Sequence, residues 1–337
     1  MTGYTALGDK PLMPSGAPAG PVSVVVVSYY TGPLLQRCLA ATLAQPQVGE
    51  LVVVDNGNWD RTRDDLTGLA RDDARLRVLS GHGNIGFAAA CNLGVAASAH
   101  PYVLILNPDA VPAPGAIGAL LREAETAAPD GLWLAGGRLL NPDGTEQAGA
   151  RRRTLTPWRA MVEMARLDRL APRHPYFQRF NAHDEPCPGR ATPMPTVSGA
   201  FFMLPRAAWE AVGGMDEGFF LHVEDIDLCL RFGQAGGTVL YVPGAEVVHG
   251  RSSSRSNRIR VERWKAQSLA RYFRRHFRGV YPPGFVSLVV GMVWGVFGAR
   301  SAGIAGRRAL AILGLGRRAG LGRAARAARL GRSAAGR

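Results

Sequence analysis

The sequence VSVVVVS at residues 22–28 is an almost unbroken run of β-branched side chains. Such a run predicts a strand that is buried on both faces, as in a parallel sheet. Working outward, further apolar runs alternate with segments of helical length. Strands are predicted at 22–28, 51–54, 75–79, 102–106, 132–140, 196–204 and 238–242, and helices at 34–44, 87–98, 116–127 and 224–235. This alternation predicts a doubly wound α/β fold with a mainly parallel sheet.

Polar side chains follow two of the predicted strands. Asp55 comes after the second strand, and Asn107 and Asp109 come after the fourth. Right-handed crossovers would bring these loops to one edge of the sheet, where open α/β sheets bind ligands. With the late His249, they predict a site that holds a hard divalent cation against a phosphate-bearing substrate. The acidic pair at 224–225 adds a carboxylate for general-base work, so the set indicates group transfer from a nucleotide diphosphate.

The segment from Gly81 to Gly86 matches the dinucleotide-binding pattern G-x-G-x-x-G, after a strand and before a helix. Two features argue against an NAD-dependent dehydrogenase. The segment follows the third predicted strand, whereas the dinucleotide fingerprint follows the first. The acid that contacts the ribose in such enzymes stands at the end of a strand. Here that acid would have to be Asp109, which lies beyond Asn107 and Pro108 and not at the strand end. A dehydrogenase is therefore kept only as an alternative.

The positive charge belongs to the last quarter of the chain. The net charge is +14, yet residues 1–250 hold 20 Lys or Arg against 25 Asp or Glu. Residues 251–278 hold ten basic residues and one acid, and residues 300–337 hold ten arginines and no acid. The expected partner of this region is therefore a polyanionic surface.

The last quarter also contains apolar segments. Residues 257–277 have a basic amphipathic pattern, and residues 285–299 carry no charge. A spanning helix needs about 20 apolar residues, so residues 251–299 are expected to lie on an anionic membrane or dip into it. Residues 300–337 are expected to form an Arg-rich flexible tail. A terminal core helix is one alternative, and a nucleic-acid-binding arm is a second, less suited to the uncharged stretch.

The remaining segments indicate a cytoplasmic enzyme. Residues 1–20 are rich in Gly and Pro, which predicts a disordered segment and not a signal peptide. Within a catalytic domain at 21–250, the basic, Pro-rich residues 151–190 predict an acceptor-side lid or mobile loop. Four cysteines form no CxxC pair and are predicted to be free, buried and in a reducing compartment: Cys38, Cys91, Cys187 and Cys229.

Seven motifs occur in order along the chain. They are VVVVSYY at 24–30, VVVDNGNWD at 52–60, NIGFAAACN at 84–92, LNPD at 106–109, VSGAFFMLPR at 197–206, EDIDLCLR at 224–231 and HGRS at 249–252. In this order and spacing they resemble the inverting family 2 glycosyltransferases of GT-A fold, particularly the bacterial rhamnosyltransferase-like branch. The resemblance covers roughly residues 20–275.

The resemblance implies a site for a nucleotide sugar at the edge of the sheet. Asp55 would accept hydrogen bonds from the pyrimidine ring of the donor, and Ser28 would line the same pocket. Asp55 is also a natural turn-forming residue, and both roles are compatible. The other residues implied to bind the nucleotide sugar are Gly83, Asn84, Gly86, Asn92, Asn107 and Asp109.

The resemblance also implies a metal site. The segment from Asn107 to Asp109 stands in the place of the D-x-D motif of the family, with one carboxylate instead of two. Asp109, His249 and, more weakly, Asn107 would hold Mg²⁺ or Mn²⁺, and the metal is expected to arrive with the nucleotide. A nucleotidyltransferase, which would need two neighbouring metal-holding carboxylates, is the alternative enzyme class.

On the acceptor side, the resemblance makes Asp225 the general base, with Glu224 as the alternative base. Asp227 points about 200° away around the helix and is expected to support Arg231 or a loop. The wall of the acceptor site would be formed by Gly199, Phe201 and Phe202.

The implied activity is metal-dependent, inverting transfer of a sugar in the synthesis of a cell-envelope polysaccharide. The donor would be dTDP-L-rhamnose, and the acceptor a hydroxyl of a lipid-linked saccharide. Residues 251–337 would contact an anionic membrane surface, and no nucleic acid is expected as a partner. The enzyme would lie in the cytoplasm, on the inner face of the cell membrane.

Overall fold

The computed structural model describes residues 20–129, 132–170, 174–250 and 257–312. The predictions for residues 1–19 and for the tail beyond Ile312 lie outside these ranges. The described strands are β1 Val22–Ser28, β2 Val48–Asp55, β3 Leu76–Leu79, β4 Tyr102–Leu106, β5 Ala110–Pro112, β6 Trp133–Leu140, β7 Arg151–Arg152, β8 Thr192–Pro193, β9 Thr196–Val197, β10 Phe201–Pro205 and β11 Thr238–His249. The described α-helices are α1 Leu34–Leu43, α2 Asp60–Asp72, α3 Phe87–Ala97, α4 Ala116–Ala127, α5 Pro157–Ala165, α6 Arg206–Ala211, α7 Glu224–Gln234, α8 Arg258–Phe277 and α9 Phe285–Ile312.

The central sheet confirms the predicted α/β fold. Its strand order is β3-β2-β1-β4-β10-β6-β11-β5, with β8 added to β11. β1 is parallel to β2 and β4, so that Ser28 lies beside Asp55 and Val26 beside Leu106. β10 is antiparallel to both β4 and β6. The loops that follow β1, β2 and β4 therefore meet at one edge, as predicted.

The strand β1 shows why this sheet forms. All seven of its residues are buried, and burial of a Val side chain contributes about 1.5–3 kcal/mol. α3 covers β1 so closely that a Cβ at Gly94 would lie 2.4 Å from Cγ1 of Val25. A side chain at this position would therefore push the helix away from the sheet.

One strand is longer than its hydrophobic pattern predicted. β11 does not end at Val242 but continues to His249, after a register irregularity between Val242 and Glu246. Pro243 interrupts the apolar pattern there and concealed the second half of the strand. In that half, His249 pairs with Ala110 of β5, which places it beside the loop after β4.

A second apolar cluster joins the 151–190 segment to the last helices. The described part of this segment contains α5, which contacts α9. The segment predicted as a lid is thus packed against the C-terminal helices. The buried members of the cluster are Leu155, Phe180, Phe219, Val223, Ile226, Ala266, Ala270, Tyr272, Phe273, Phe277, Val286, Val289, Val290 and Val293.

α9 is longer than the uncharged stretch at 285–299. It continues to Ile312, so the expectation of a flexible tail from Arg300 is wrong for residues 300–312. The Ala-rich sequence there favours continuation of a helix that has already formed. Within the described residues, Phe285–Arg307 is the one segment long and apolar enough to cross a membrane, judged by length and composition. One face is buried at Val289, whereas Leu288 on another face is 57% exposed.

The cysteines follow the prediction with one exception. Cys38, Cys91 and Cys229 are buried, and all four cysteines are free. Cys187 is exposed, because it lies between Pro186 and Pro188 in the surface part of the 151–190 segment.

Candidate functional site

The predicted metal ligands meet at the ends of β4 and β11. His249 Nε2 lies 3.2 Å from Asp109 Oδ1 and 3.2 Å from Asn107 Nδ2. Neighbouring ligands of an octahedral ion, each about 2.1 Å from it, lie about 3 Å apart. The spacing of these side chains therefore fits one Mg²⁺ or Mn²⁺ ion, with the Asn107 amide turned to present its oxygen.

The side chains do not complete a coordination shell. Among the described residues, no group of three or more His, Cys, Asp or Glu side chains could hold a metal ion. Asp109 and His249 supply one carboxylate and one imidazole, and a hard six-coordinate ion needs further oxygen ligands. A diphosphate is the group with the chemistry to supply them.

Gln147 fixes the imidazole ring of His249. Its Oε1 lies 2.7 Å from His249 Nδ1, and its Nε2 donates to the carbonyl oxygen of His249 at 3.2 Å. Because Oε1 can only accept, Nδ1 carries a proton, and Nε2 is the ring nitrogen that faces Asp109. Sequence reasoning missed Gln147, since a Gln in a Gly-rich turn carries no signal of its own.

Two cavities open on either side of this cluster. The larger has a volume of about 1130 Å³ and the smaller a volume of about 580 Å³. Asn107, His222 and His249 line both, so the cavities meet at the predicted metal site. Volumes in this range suit substrate-sized ligands.

Four of the predicted donor-site residues line the larger cavity, namely Asn84, Gly86, Asn107 and Asp109. Gly86 has a φ of 90°, and a Cβ at this position would lie 2.9 Å from the carbonyl oxygen of Phe220. Only glycine fits there without a shift of the backbone.

Asn56 ties the glycine loop to the end of β2. Its Nδ2 donates to Asn84 Oδ1 at 3.1 Å, and its Oδ1 accepts the backbone N–H of Ile85 at 3.0 Å. Asn56 also lines the larger cavity. It was not predicted as a site residue, because its partners lie 28 and 29 residues away and no local pattern marks them.

Ser28 and Asp55 lie outside the described lining of the larger cavity, as does Gly83. Asp55 Oδ1 accepts the backbone N–H groups of Gly57 at 3.1 Å and Asn58 at 2.8 Å. The Asn58 amide also donates to Ser28 Oγ at 3.1 Å. The turn-forming role of Asp55 is therefore the one that these contacts show, and contact with the donor remains a prediction.

Asn92 also lies outside the described lining of the larger cavity, so its contact with the nucleotide sugar stays a prediction. Its Nδ2 donates to the carbonyl oxygen of Met215 at 2.9 Å, and its Oδ1 accepts the Met215 N–H at 3.0 Å. Asn92 lies in the second turn of α3 and faces the loop that follows α6. Its amide anchors that loop.

Asp225 is the best-connected carboxylate in the smaller cavity. Its Oδ2 accepts hydrogen bonds from Arg152 Nη2 at 2.5 Å and from Gly199 N–H at 2.8 Å, and its Oδ1 accepts from Ile226 N–H at 2.8 Å. Burial alone would raise the pKa of Asp225, but the charge and hydrogen bond of Arg152, with the two N–H groups, hold it below its usual range. Asp225 is therefore ionised at neutral pH.

Glu224 has the opposite electrostatic state. Burial and the neighbouring charge of Asp225 raise the pKa of Glu224 to about 8. Its Oε2 is buried and has no hydrogen-bond partner within the described residues. Two adjacent carboxyls whose environments push their pKa values apart are characteristic of acid–base sites.

Arg152 was not predicted as a site residue. It belongs to β7, which pairs with β9, and its Nη2 also donates to the carbonyl oxygen of Val197 at 2.6 Å. The only signal in the sequence is the triplet of arginines at 151–153. Of its neighbours, Arg151 forms a buried ion pair with Glu146 at 2.7 Å.

The structure places the three residues predicted for the acceptor wall in different surroundings. Gly199 lines the smaller cavity, and a Cβ there would lie 3.0 Å from Cβ of Asp225. Phe201 and Phe202 do not line it; they lie in β10 between β4 and β6, with 0% and 2% of their surface exposed. A central strand buries both of its faces, so consecutive Phe residues serve the core there.

A strained dipeptide precedes α7. His222 and Val223 have φ values of 68° and 75°, a backbone region that β-branched residues rarely adopt. Such residues cost about 1–3 kcal/mol and persist only where the surroundings hold them. Burial of Val223 in the second apolar cluster fixes this turn, which leaves His222 lining both cavities.

Comparison with known proteins identifies the family. Residues 18–282 match the family model described as glycosyltransferase like family 2. A relative from Mycobacterium tuberculosis, N-acetylglucosaminyl-diphospho-decaprenol L-rhamnosyltransferase, is 32% identical in an alignment of length 247 that covers 68% of this chain and 76% of that protein. Rhamnosyltransferase WbbL of Escherichia coli is 37% identical over 79 residues, which cover 23% of this chain and 30% of that protein.

Solved structures agree on the fold. The mannosyltransferase PcManGT from Pyrobaculum calidifontis, in complex with GDP-Man and Mn²⁺, matches with a TM-score of 0.51 and 16% identity over 92% of this chain and 84% of that one. GalNAc-T7, solved with UDP, GalNAc and Mn²⁺, matches with a TM-score of 0.55 and 17% identity over 81% of this chain and 54% of that one. The chain thus belongs to glycosyltransferase family 2 and is a glycosyltransferase of GT-A fold similar to rhamnosyltransferases.

Proposed function

We propose that this enzyme transfers L-rhamnose from dTDP-rhamnose to a hydroxyl of a saccharide linked to a polyprenyl diphosphate. Two cavities that meet at Asn107 and His249 carry this proposal, because a transferase must hold donor and acceptor against each other. The name of the mycobacterial relative supports the sugar and the kind of acceptor. The product would serve the synthesis of a cell-envelope polysaccharide.

The larger cavity is proposed to hold the donor, because it contains the glycine loop and Asp109. Asp109, His249 and Asn107 would hold Mg²⁺ or Mn²⁺ together with the diphosphate. Such an ion, when bound, stabilises the negative charge that develops on the departing diphosphate. Gln147 keeps Nε2 of His249 directed into this site.

The smaller cavity is proposed to hold the acceptor. A hydroxyl oxygen of the acceptor attacks the anomeric carbon of the donor sugar on the face opposite the diphosphate. The bond between this carbon and the diphosphate breaks, and the configuration at the carbon inverts. Asp225, ionised beside Arg152, accepts the hydroxyl proton. Glu224 is the alternative base: it would have to lose its own proton first, so activity through Glu224 would rise as pH passes about 8.

The cytoplasmic face of the cell membrane is the proposed location. A polyprenyl acceptor lies in that membrane, and the basic helix α8 and the exposed apolar side of α9 suit its anionic surface. The same two helices line both cavities. Contact of these helices with the membrane would therefore place the active site close to the acceptor.

Transfer assays test the proposal. Purified enzyme would be given dTDP-rhamnose, UDP-sugars or GDP-sugars with a short-chain polyprenyl diphosphate saccharide, in Mg²⁺, Mn²⁺ or EDTA. We expect metal-dependent transfer from dTDP-rhamnose with inversion at the anomeric carbon. Asp109→Ala should lower the rate by about 100-fold or more, because the charge of the departing diphosphate is then less well balanced.

A matched control uses Asp60→Asn, which removes an acid whose side chain is 91% exposed. Asp60→Asn should transfer rhamnose at the wild-type rate. Transfer that is equally fast in EDTA would disprove the metal dependence. Stabilisation of the protein against heat by NAD but by no nucleotide sugar would disprove the donor site.

A further inference from the structure

The basic side chains of the larger cavity come from the two C-terminal helices. Among the described lining residues, the wall formed by the sheet domain contributes the acid Asp109 but no Lys or Arg. α8 contributes Arg258, and α9 contributes Arg300 and Arg307. Among the residues that the structure describes, the guanidinium groups available to a diphosphate in this cavity therefore lie on the side of the helices.

These helices form a fixed wall. Ser268 of α8 donates to the carbonyl oxygen of Leu221 at 3.1 Å, and His276 Nε2 lies 2.7 Å from Asp227 Oδ1 of α7. α9 packs on α8, and its Val289 is completely buried. The arginines are thus carried by packed helices and not by a terminal tail.

The helical wall carries one acid, Glu262, against three arginines, so its net charge is positive. Arg300 Nη1 donates to Glu262 Oε2 at 3.1 Å, which occupies one of the five N–H donors of the guanidinium. Arg258 is the first residue of α8, where the partial positive charge of the helix terminus adds to its own.

We propose that Arg258, Arg300 and Arg307 bind the diphosphate of the nucleotide donor, so that its binding does not rest on the metal ion alone. This inference rests on the proposed function. The acceptor also carries a diphosphate, but Arg258 and Arg307 line only the larger cavity, which holds Asp109. The C-terminal helices are thereby part of the donor site.

Calorimetric titration of the full chain with dTDP and with UDP, in Mn²⁺ and in EDTA, tests the inference. Arg258→Ala and Arg307→Ala should each weaken binding of the nucleoside diphosphate by about tenfold, since a charge-assisted hydrogen bond is lost. The loss should occur in EDTA as well as in Mn²⁺, and binding of thymidine, which has no phosphate, should not change. Arg263→Ala is the matched control, because Arg263 is an exposed residue of α8 that lines neither cavity.

The outcomes separate the two proposals. Wild-type affinity for dTDP and UDP in both variants, with normal sugar transfer, would overturn the inference and leave the transferase function intact. Weaker binding of farnesyl diphosphate, with unchanged binding of dTDP, would assign the arginines to the acceptor and also overturn it. A wild-type protein that binds neither dTDP nor UDP would overturn the proposed function itself.

Discussion

At the residue scale, the smaller cavity contains two neighbouring carboxyls in different protonation states. Arg152 keeps Asp225 ionised, and burial beside that charge keeps Glu224 protonated up to about pH 8. Removal of Arg152 would leave the desolvation of Asp225 without its main compensating charge, so the pKa of Asp225 would rise towards that of Glu224. The arginine from β7 therefore decides which carboxyl is available to take a proton.

The first prediction is that the stability of the protein depends on pH, because Glu224 is protonated in the folded state. An unfolded Glu titrates near 4.5, and folding raises the pKa to about 8. Between these values the folded chain holds a proton that the unfolded chain has lost. The free energy of unfolding should therefore fall as pH rises through this window, by at most about 1.4 kcal/mol per pH unit.

Glu224→Gln keeps the neutral state and should flatten this slope. Denaturant unfolding of both proteins at about pH 5 and about pH 8 measures it. The lowered pKa of Asp225 acts at more acidic pH, below this window. An equal slope in the two proteins would mean that Glu224 is ionised in the folded state.

The second residue-scale prediction concerns Gln147. Gln147→Leu removes the acceptor for His249 Nδ1, so the ring can rotate or change tautomer. We expect Mn²⁺ to bind about 10- to 100-fold more weakly in the presence of dTDP, as for other partners of metal-bound His. Electron paramagnetic resonance of free Mn²⁺ measures this, and Gln147→Glu, which keeps an acceptor oxygen, is the control. Unchanged Mn²⁺ affinity in Gln147→Leu would exclude the positioning role.

The sequence pattern located a site residue when that residue follows a predicted strand. Asp109 was found because it follows an apolar run, and the structure puts it in the larger cavity. Arg152 and Gln147 act through contacts across 73 and 102 residues, which no local pattern encodes. The pattern could not separate the core position of Phe201 and Phe202 from a place in the acceptor wall, because an apolar motif has the same appearance in a pocket wall and in a central strand.

At the element scale, α9 belongs to the fold and also presents an apolar face outward. Val289 is fully buried against the second cluster, and its neighbour Leu288 is 57% exposed. A core helix and a surface helix could not be told apart from the residue pattern of α9, because its apolar residues surround the helix axis. Packing against α5 and α8 settles which face is buried.

This arrangement predicts unequal effects of two neighbouring substitutions. Val289→Ala should lower the free energy of unfolding by about 2 kcal/mol, since two buried methyl groups are lost and a cavity remains. Leu288→Ala removes a larger side chain, but it should change the free energy of unfolding by less than about 0.5 kcal/mol, because Leu288 is exposed. Urea unfolding of the two variants gives the comparison. Equal effects would mean that α9 does not pack on the domain in solution.

At the scale of the whole molecule, acids and bases are segregated. Residues 1–250 have an excess of acids, whereas residues 251–278 and 300–337 together hold 20 basic residues and one acid. The alternation of strands and helices, and the meeting of the loops after β1, β2 and β4 at one edge of the sheet, were predictable from local runs. The contribution of the C-terminal helices to both cavities was not, because it arises only when residues 257–312 fold back on the sheet domain.

The segregation predicts binding to anionic vesicles that depends on salt. Flotation with vesicles containing phosphatidylglycerol should recover most of the protein at low ionic strength. Recovery should fall as salt is raised, since the Debye length shrinks from about 30 Å at 0.01 M to about 8 Å at 0.15 M. Neutral vesicles are the control. Recovery that is independent of lipid charge would mean that insertion of α9, and not electrostatic attraction, holds the protein to lipid.

The position of α8 and α9 over both cavities has a consequence for diffusion. A molecule whose excess positive charge is concentrated in one part has an electric dipole, and a charged surface exerts a torque on a dipole before contact. As the enzyme approaches an anionic bilayer, its helical end would turn towards the surface. Because α8 and α9 line both cavities, the two cavities would arrive on the side of the enzyme nearest the lipid, so that few encounters are lost to wrong orientations.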